Sequence, residues 1–163
     1  MTPVGIARLK LDEAAGGKPP LTAYQDVGGV WTIGWGCTGP AVRPGVVWSL
    51  AQAEGGLAER IAETERGLGD RFAWFAALQR NEPVRADVLA NIAFNIGVGG
   101  LSRWPVTLAA VRAGEWEQAA EDIRGNVLWR GQVHARCDRC ALAMRTGEWA
   151  DVEEVSPRMI RHA

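Results

Sequence analysis

Apolar runs are short in this chain of 163 residues. None approaches the roughly eighteen that span a bilayer, and the N-terminus, Met1-Thr-Pro-Val-Gly-Ile, has no basic start leading into an apolar stretch. Those absences exclude a membrane-spanning segment and predict a soluble, cytosolic chain. Cysteine is scarce and odd in number, three in all, which argues against a disulfide framework and fits a reducing compartment. Charge of one sign is also missing: 18 basic side chains against 19 acidic ones leave a formal net charge of -1, so no global field marks a nucleic-acid or membrane partner. Internal repeats and low-complexity tracts are absent as well.

What is present is patterned. Val4, Ile6, Leu9 and Leu11 recur near a helical period, and Gly16-Gly17 with Pro19-Pro20 stop it, which predicts a first helix over 3–13 ending close to Glu13. Leu21–Gln25 and Val30–Trp35 alternate around Val27-Gly28-Gly29, the pattern of a β-hairpin. Ser49 is placed to cap a helical stretch of about twenty residues. Pro83 opens a run to Ile96 whose apolar spacing predicts a buried central helix before Gly97. Further helices are expected over Val106–Ala113, Glu115–Ile123 and roughly His134–Met144, with a frayed tail from Asp151 to Ala163. The fold class expected is α+β, mostly helical, in one domain over 1–150. Helix 3–13 would link a small hairpin lobe at 14–50 to a helical lobe at 51–150, with a cleft between them for a ligand.

Glu13, Asp26 and Thr32 carry the chemistry. Cleaving a glycosidic bond needs one carboxylic acid to protonate the leaving oxygen and a second carboxylate that attacks or activates water across the sugar ring. Upstream of the hairpin only Asp12 and Glu13 could supply the first, and Glu13 has the longer reach. Against an apolar wall it would lose solvation and keep its proton near neutral pH. Asp26, at the mouth of the turn, would stay ionised. Thr32 has the parity of Asp26 along the hairpin, and its hydroxyl could hold the attacking water. Each residue alone has an ordinary structural use, as turn former, strand former or solvated helix end.

The string Leu21-Thr-Ala-Tyr-Gln-Asp-Val-Gly-Gly-Val-Trp-Thr-Ile-Gly-Trp-Gly-Cys-Thr-Gly39 resembles the hairpin of the phage-type lysozymes, the muramidase endolysins. Ala93-Phe-Asn-Ile-Gly-Val-Gly-Gly100 and Gly131-Gln-Val-His-Ala-Arg136 resemble the end of that family's central helix and its late arginine-bearing helix. The resemblance implies an endolysin that cleaves peptidoglycan between N-acetylmuramic acid and N-acetylglucosamine for host lysis, with Glu13 as acid, Asp26 as base and Thr32 as water holder. It implies no cofactor and no metal. It also implies a monomer that stays in the host cytoplasm until a holin releases it to the periplasm. Twelve residues separate Glu13 from Asp26, more than in relatives, with Ala14–Pro20 as the apparent insertion, a change that costs little in closure entropy. Cys37 stands where relatives commonly carry histidine.

Inversion at the anomeric carbon is expected, because a carboxylate and hydroxyl holding water need the wider separation of about 6.5–9.5 Å between carboxyls. Trp31, Trp35 and Trp104 are candidates to stack on sugar rings, and Asn95 and Arg136 join them as substrate contacts through the resemblance. Cys137-Asp-Arg-Cys140 with His134 has metal-like spacing in the wrong context, so the expectation is a half-buried pair of free thiols. Five arginines between Arg124 and Arg145 meet one acid, which suggests a solvated helix face, or a hold on substrate carboxylates. The alternatives are a lytic transglycosylase on the same substrate and a non-catalytic wall-binding module.

Overall fold

The computed structural model describes residues 1–150; the tail from Asp151 onward lies outside the described residues. Helix α1, Pro3–Glu13, starts where sequence places it: Thr2 is extended, its Oγ1 accepts from Gly5 N at 3.0 Å, and Pro3 sits at the first helical position. It stops because Ala14 is extended, bonding back to Lys10 O at 3.1 Å, and Gly16 and Gly17 follow at φ +63° and +69°. Successive positive φ values and then two prolines cannot prolong a helix. The chain therefore leaves the helix through a tight turn at Ala15–Gly17, and Glu13 is the last helical residue.

The hairpin forms, but its ladder is shorter than the alternation suggests. Strand β1 is Tyr24–Gln25 and β2 is Trp31–Thr32, antiparallel, with Tyr24 opposite Thr32 and Gln25 opposite Trp31. Gly34 and Gly36, at φ +64° and +79°, fold the second run back so that Ile33 bridges to Cys37. Helix α2, Leu50–Arg71, opens with a reciprocal cap: Ser49 Oγ accepts from Gln52 N at 3.2 Å and Gln52 Oε1 accepts from Ser49 N at 2.9 Å. Gly56 within it is required by close approach, since a Cβ there would lie 2.8 Å from Cys37 Sγ.

Helices α3 (Phe75–Asn81), α4 (Pro83–Ile96), α5 (Val98–Leu101), α6 (Pro105–Ala113), α7 (Trp116–Gly125) and α8 (Val127–Thr146) complete the chain. The short α3 and α5 are not marked by periodicity. Helix α8 begins at Val127 rather than near His134: Asn126 Oδ1 caps Trp129 N at 3.0 Å, and a break at Val133 (φ −139°, ψ 50°) sets this first part apart.

The architecture is α+β and mostly helical, as expected, with a two-stranded sheet among the described residues. Helix α4 is its hub, buried from Arg85 through Phe94. Val88, Leu89 and Ile92 join Leu101, Ile123 and Met144 in the larger core. Leu9 of α1, Trp35, the first half of α2 and Phe94 form a second core, and Ala23, Ile33, Cys37 and Val42 a third beneath the hairpin. Burying a Leu, Ile or Phe contributes about 1.5–3 kcal/mol, so α1 and α4 are held firmly where the hairpin meets the helices.

Candidate active site

Asp12 and Glu13 close α1 about 100° apart around its axis, and the structure sends them to different partners. Asp12, its side chain 3% exposed, pairs with Arg139 and accepts from Asn91 Nδ2 at 3.1 Å. Glu13, 19% exposed, accepts from Arg136 Nη1 at 2.7 Å through Oε1. Of the two acids, Glu13 is the one a ligand can reach. The apolar wall expected around it is corrected here: its carboxyl faces a guanidinium.

Arg136 is itself a fixed part. Its Nε donates to Asn91 Oδ1 at 2.7 Å and its Nη2 to Asn91 O at 2.8 Å, while Nε lies 3.7 Å from Asp12 Oδ2. A planar fork with three donors engaged has one orientation, so Glu13 Oε1 is located to within a hydrogen bond. Oε2 makes no hydrogen bond among the described residues.

Asp26 opens the hairpin turn. Its Oδ1 accepts from Gly28 N at 2.8 Å and Val30 N at 2.9 Å, closing a turn that Gly29, at φ +76°, makes possible. Oδ2 makes no hydrogen bond among the described residues, and the residue is half-exposed. Asp26 N donates to Val30 O at 3.0 Å, which continues the register from Tyr24–Thr32 and makes Asp26 and Thr32 diagonal neighbours on one face. Thr32 is buried and its Oγ1 donates to Val30 O at 3.0 Å, so the hydroxyl proton is committed and its lone pairs remain for an incoming donor.

Among the expected substrate contacts, three are corrected. Trp35 is 1% exposed and belongs to the core with Leu9 and Leu57, so it cannot stack on a sugar. Trp31, adjacent to Thr32 in β2, points to the opposite face of the hairpin and packs on the cluster of Ala23 and Ile33. Arg136 is buried and fully engaged by the protein. Asn95 is exposed and accepts from Trp129 Nε1 at 2.8 Å. Trp104, half-buried, meets Trp129 edge-on with centroids 5.5 Å apart and borders two cavities of about 470 and 490 Å³.

The arginine run is neither a free solvated face nor a free substrate clamp. Arg124 and Arg130 both pair with Asp138, Arg136 with Glu13, Arg139 with Asp12 and Arg145 with Glu117. The thiols of Cys137 and Cys140 are fully rather than half buried, facing Ile123 O at 3.3 Å and Asn91 Oδ1 at 3.6 Å. Burial pushes both thiols above their ordinary value. No group of three or more potential metal ligands occurs among the described residues.

Asn91 is the residue that the sequence reading missed. Its signal was available: it stands in the row of Val84, Val88 and Asn95 on a helix whose apolar period predicts burial, where a buried amide must find partners.

Residues 18–138 match the phage lysozyme family, a span that includes Asp26, Thr32, Asn91 and Arg136 and begins after Glu13. The pre-baseplate central spike protein Gp5 of Enterobacteria phage T4 is 38% identical over 63 residues, which is 39% of this chain. The aligned part spans 11% of that protein's length.

Proposed function

The chain belongs to the phage lysozyme family, and from that membership we propose that it hydrolyses the β-1,4 bond between N-acetylmuramic acid and N-acetylglucosamine in bacterial peptidoglycan, for host lysis by a phage or prophage. The observation that carries the reading is the anchoring of Asp26: Oδ1 is held by two amides of its own turn, while Oδ2 is left open on the face shared with Thr32. A water there donates one hydrogen to Asp26 Oδ2 and the other to Thr32 Oγ1. Its lone pair is then directed at the anomeric carbon. Asp26 takes the water's proton as the new C–O bond forms; the old one breaks as Glu13 protonates the leaving oxygen. Attack from the face opposite the leaving group inverts the anomeric carbon. Arg136 acts by fixing Glu13 and Asn91 by fixing Arg136, so both are positioning residues.

Purified peptidoglycan and soluble fragments of it, followed by proton NMR, test the mechanism. The first product should be the α-anomer. A β-anomer would mean retention, an anhydro sugar a transglycosylase, and no turnover a binding module. Glu13→Gln should lower turnover by about 10²–10⁴-fold with an unchanged circular dichroism spectrum; full activity would move the acid elsewhere. In this reading the enzyme waits in the host cytoplasm until a holin opens the inner membrane, so expression without a holin should leave cells intact.

A further inference from the structure

Six of the eight tryptophans are only half-buried, and two of those six, Trp74 and Trp116, share a cavity that the catalytic reading does not use. The cavity, about 300 Å³, lies between the end of α3 and the turn from α6 to α7, floored by Val111 and rimmed by Asn81, Glu82 and Arg112. None of Glu13, Asp26, Thr32, Asn91 or Arg136 borders it. Along α4, the eight residues from Pro83 to Asn91 place it roughly 12 Å from the catalytic network.

Both indoles are fixed from behind. Trp74 leans on Phe72, centroids 5.4 Å apart and planes at 31°, and the guanidinium of Arg85 covers one face of Trp116 at 4.4 Å. Arg85 cannot drift, because its Nε donates to Met144 O at 2.9 Å and its Nη2 to Arg145 O at 3.1 Å. Gly114, at φ +77°, makes the turn into α7, and a Cβ there would stand 3.6 Å from the Trp116 ring. The rim is polar and partly free: Glu82 pairs with Arg85 through Oε2, while Arg112 forms no ion pair and the Asn81 amide no side-chain hydrogen bond among the described residues. Large aromatic surfaces held rigid at a half-open cavity, beside an amide, a carboxylate and a guanidinium, match an N-acetylated pyranose. Indole covers its C–H face, and the planar groups meet hydroxyls, the acetamido group and a lactyl carboxylate. The volume, at the lower end of small-ligand sites, suits one such ring.

We infer that the Trp74–Trp116 cavity is a second glycan-binding site, separate from Glu13, Asp26 and Thr32, that holds the enzyme to the polymer it cleaves. The inference rests on the glycan-cleaving reading for its ligand. A second hold on an insoluble polymer raises the effective concentration of cleavable bonds near the active site without changing the chemistry there. A short soluble glycan cannot reach both sites and gains nothing.

Two variants test this: N81A/R112A, which strips the exposed rim, and Ala113→Gln, which fills the mouth from an exposed position. Each is assayed on a soluble peptidoglycan tetrasaccharide and on intact sacculi, and its co-sedimentation with sacculi is measured on ice. The expected result is an unchanged rate on the tetrasaccharide with about tenfold losses in rate and sedimented fraction on sacculi. Parent-like behaviour of both variants on sacculi overturns the site, and so does an equal loss on both substrates. If the parent cleaves neither substrate, the catalytic reading fails, and co-sedimentation alone decides the cavity.

Discussion

Arg136→Met keeps most of the apolar stem and removes every donor, which makes it a sharp test of the network behind Glu13. The guanidinium gives up hydrogen bonds of 2.7 Å to Asn91 Oδ1, 2.8 Å to Asn91 O and 2.7 Å to Glu13 Oε1. Breaking a buried pair by removing one partner costs about 3–5 kcal/mol, most of it from the charge left behind. Two features place this case at the low end: Glu13 is 19% exposed and can turn toward water, and Asp12 keeps Arg139. A loss of about 3 kcal/mol is expected, or roughly 6–12 °C in Tm for a domain of this size. Against a typical stability of about 5–15 kcal/mol the variant remains folded at 25 °C. Urea titration should show a lower midpoint at unchanged slope. Turnover of the folded variant should fall about 10–100-fold, because the acid is no longer fixed. Arg136→Lys, with charge but no fork, should lie between variant and parent in both measurements. A stability loss under 1 kcal/mol with parent-like turnover would refute the reasoning. A full stability loss with intact turnover would leave Arg136 a role in folding alone.

Gly5→Ala should destabilise by about 1–3 kcal/mol, since its Cβ would stand 2.2 Å from Asp87 Oδ2, a carboxyl held in place by Thr2; a Tm within error of the parent would contradict the packing. Burial pushes the Asp87 carboxyl above its ordinary value near 3.8, partly offset by hydrogen bonds from Thr2. The folded state therefore binds that proton more tightly than the unfolded one. The stability this group contributes is present at low pH and is lost as pH rises from the unfolded value through the folded one. The difference in unfolding free energy, parent minus Asp87→Asn, should shrink as pH rises from 3 to 7, and a growing difference would reverse the assignment. Cys37, Cys137 and Cys140 are buried with thiols pushed up by desolvation, so a disulfide reagent at pH 8 should label them only on unfolding. Rapid native labelling of any of them would show the burial to be wrong.

How far the sequence reveals this protein depends on whether a feature is local. The starts of α1, α2 and α4 are written in Thr2-Pro3, the Ser49–Gln52 box and Pro83, and the structure has all three. The hairpin is local too, but alternation over Val30–Trp35 overstated β2, because Gly34 and Gly36 turn the chain back on itself. The start of α8 was hidden by the break at Val133, which interrupts the period that marks a helix. Asp26 and Thr32 share a hairpin, so their common face follows from parity. Arg136 is different in kind. It meets Glu13 across 123 positions, and no spacing rule connects two side chains so far apart in the chain. The tryptophans fail for the opposite reason: composition announces them, yet only packing distinguishes Trp35 in the core from Trp104 at a cavity wall.

The polar residues of α4 explain how a glutamate at a helix end can be placed so firmly. A helix buried along its length must partner every polar side chain within the protein, and each partner then becomes a fixed point. Arg85 fixes the carbonyls of Met144 and Arg145 at the end of α8. Asp87 fixes the start of α1, accepting from Thr2 N at 2.9 Å. Asn91 fixes the end of α1 through Asp12 and, through Arg136, the carboxyl of Glu13. Helix α1 is thus pinned to one rigid element at both ends. A helix held at one end can pivot, and one free at both can rotate, moving each side chain about 100° around the axis for every residue of slip. Pinned twice, it can do neither, and Glu13 keeps its place even though the tight turn at Ala15–Gly17 begins two residues later. Glu13 takes its position from α4 and α8, not from the loop that follows it.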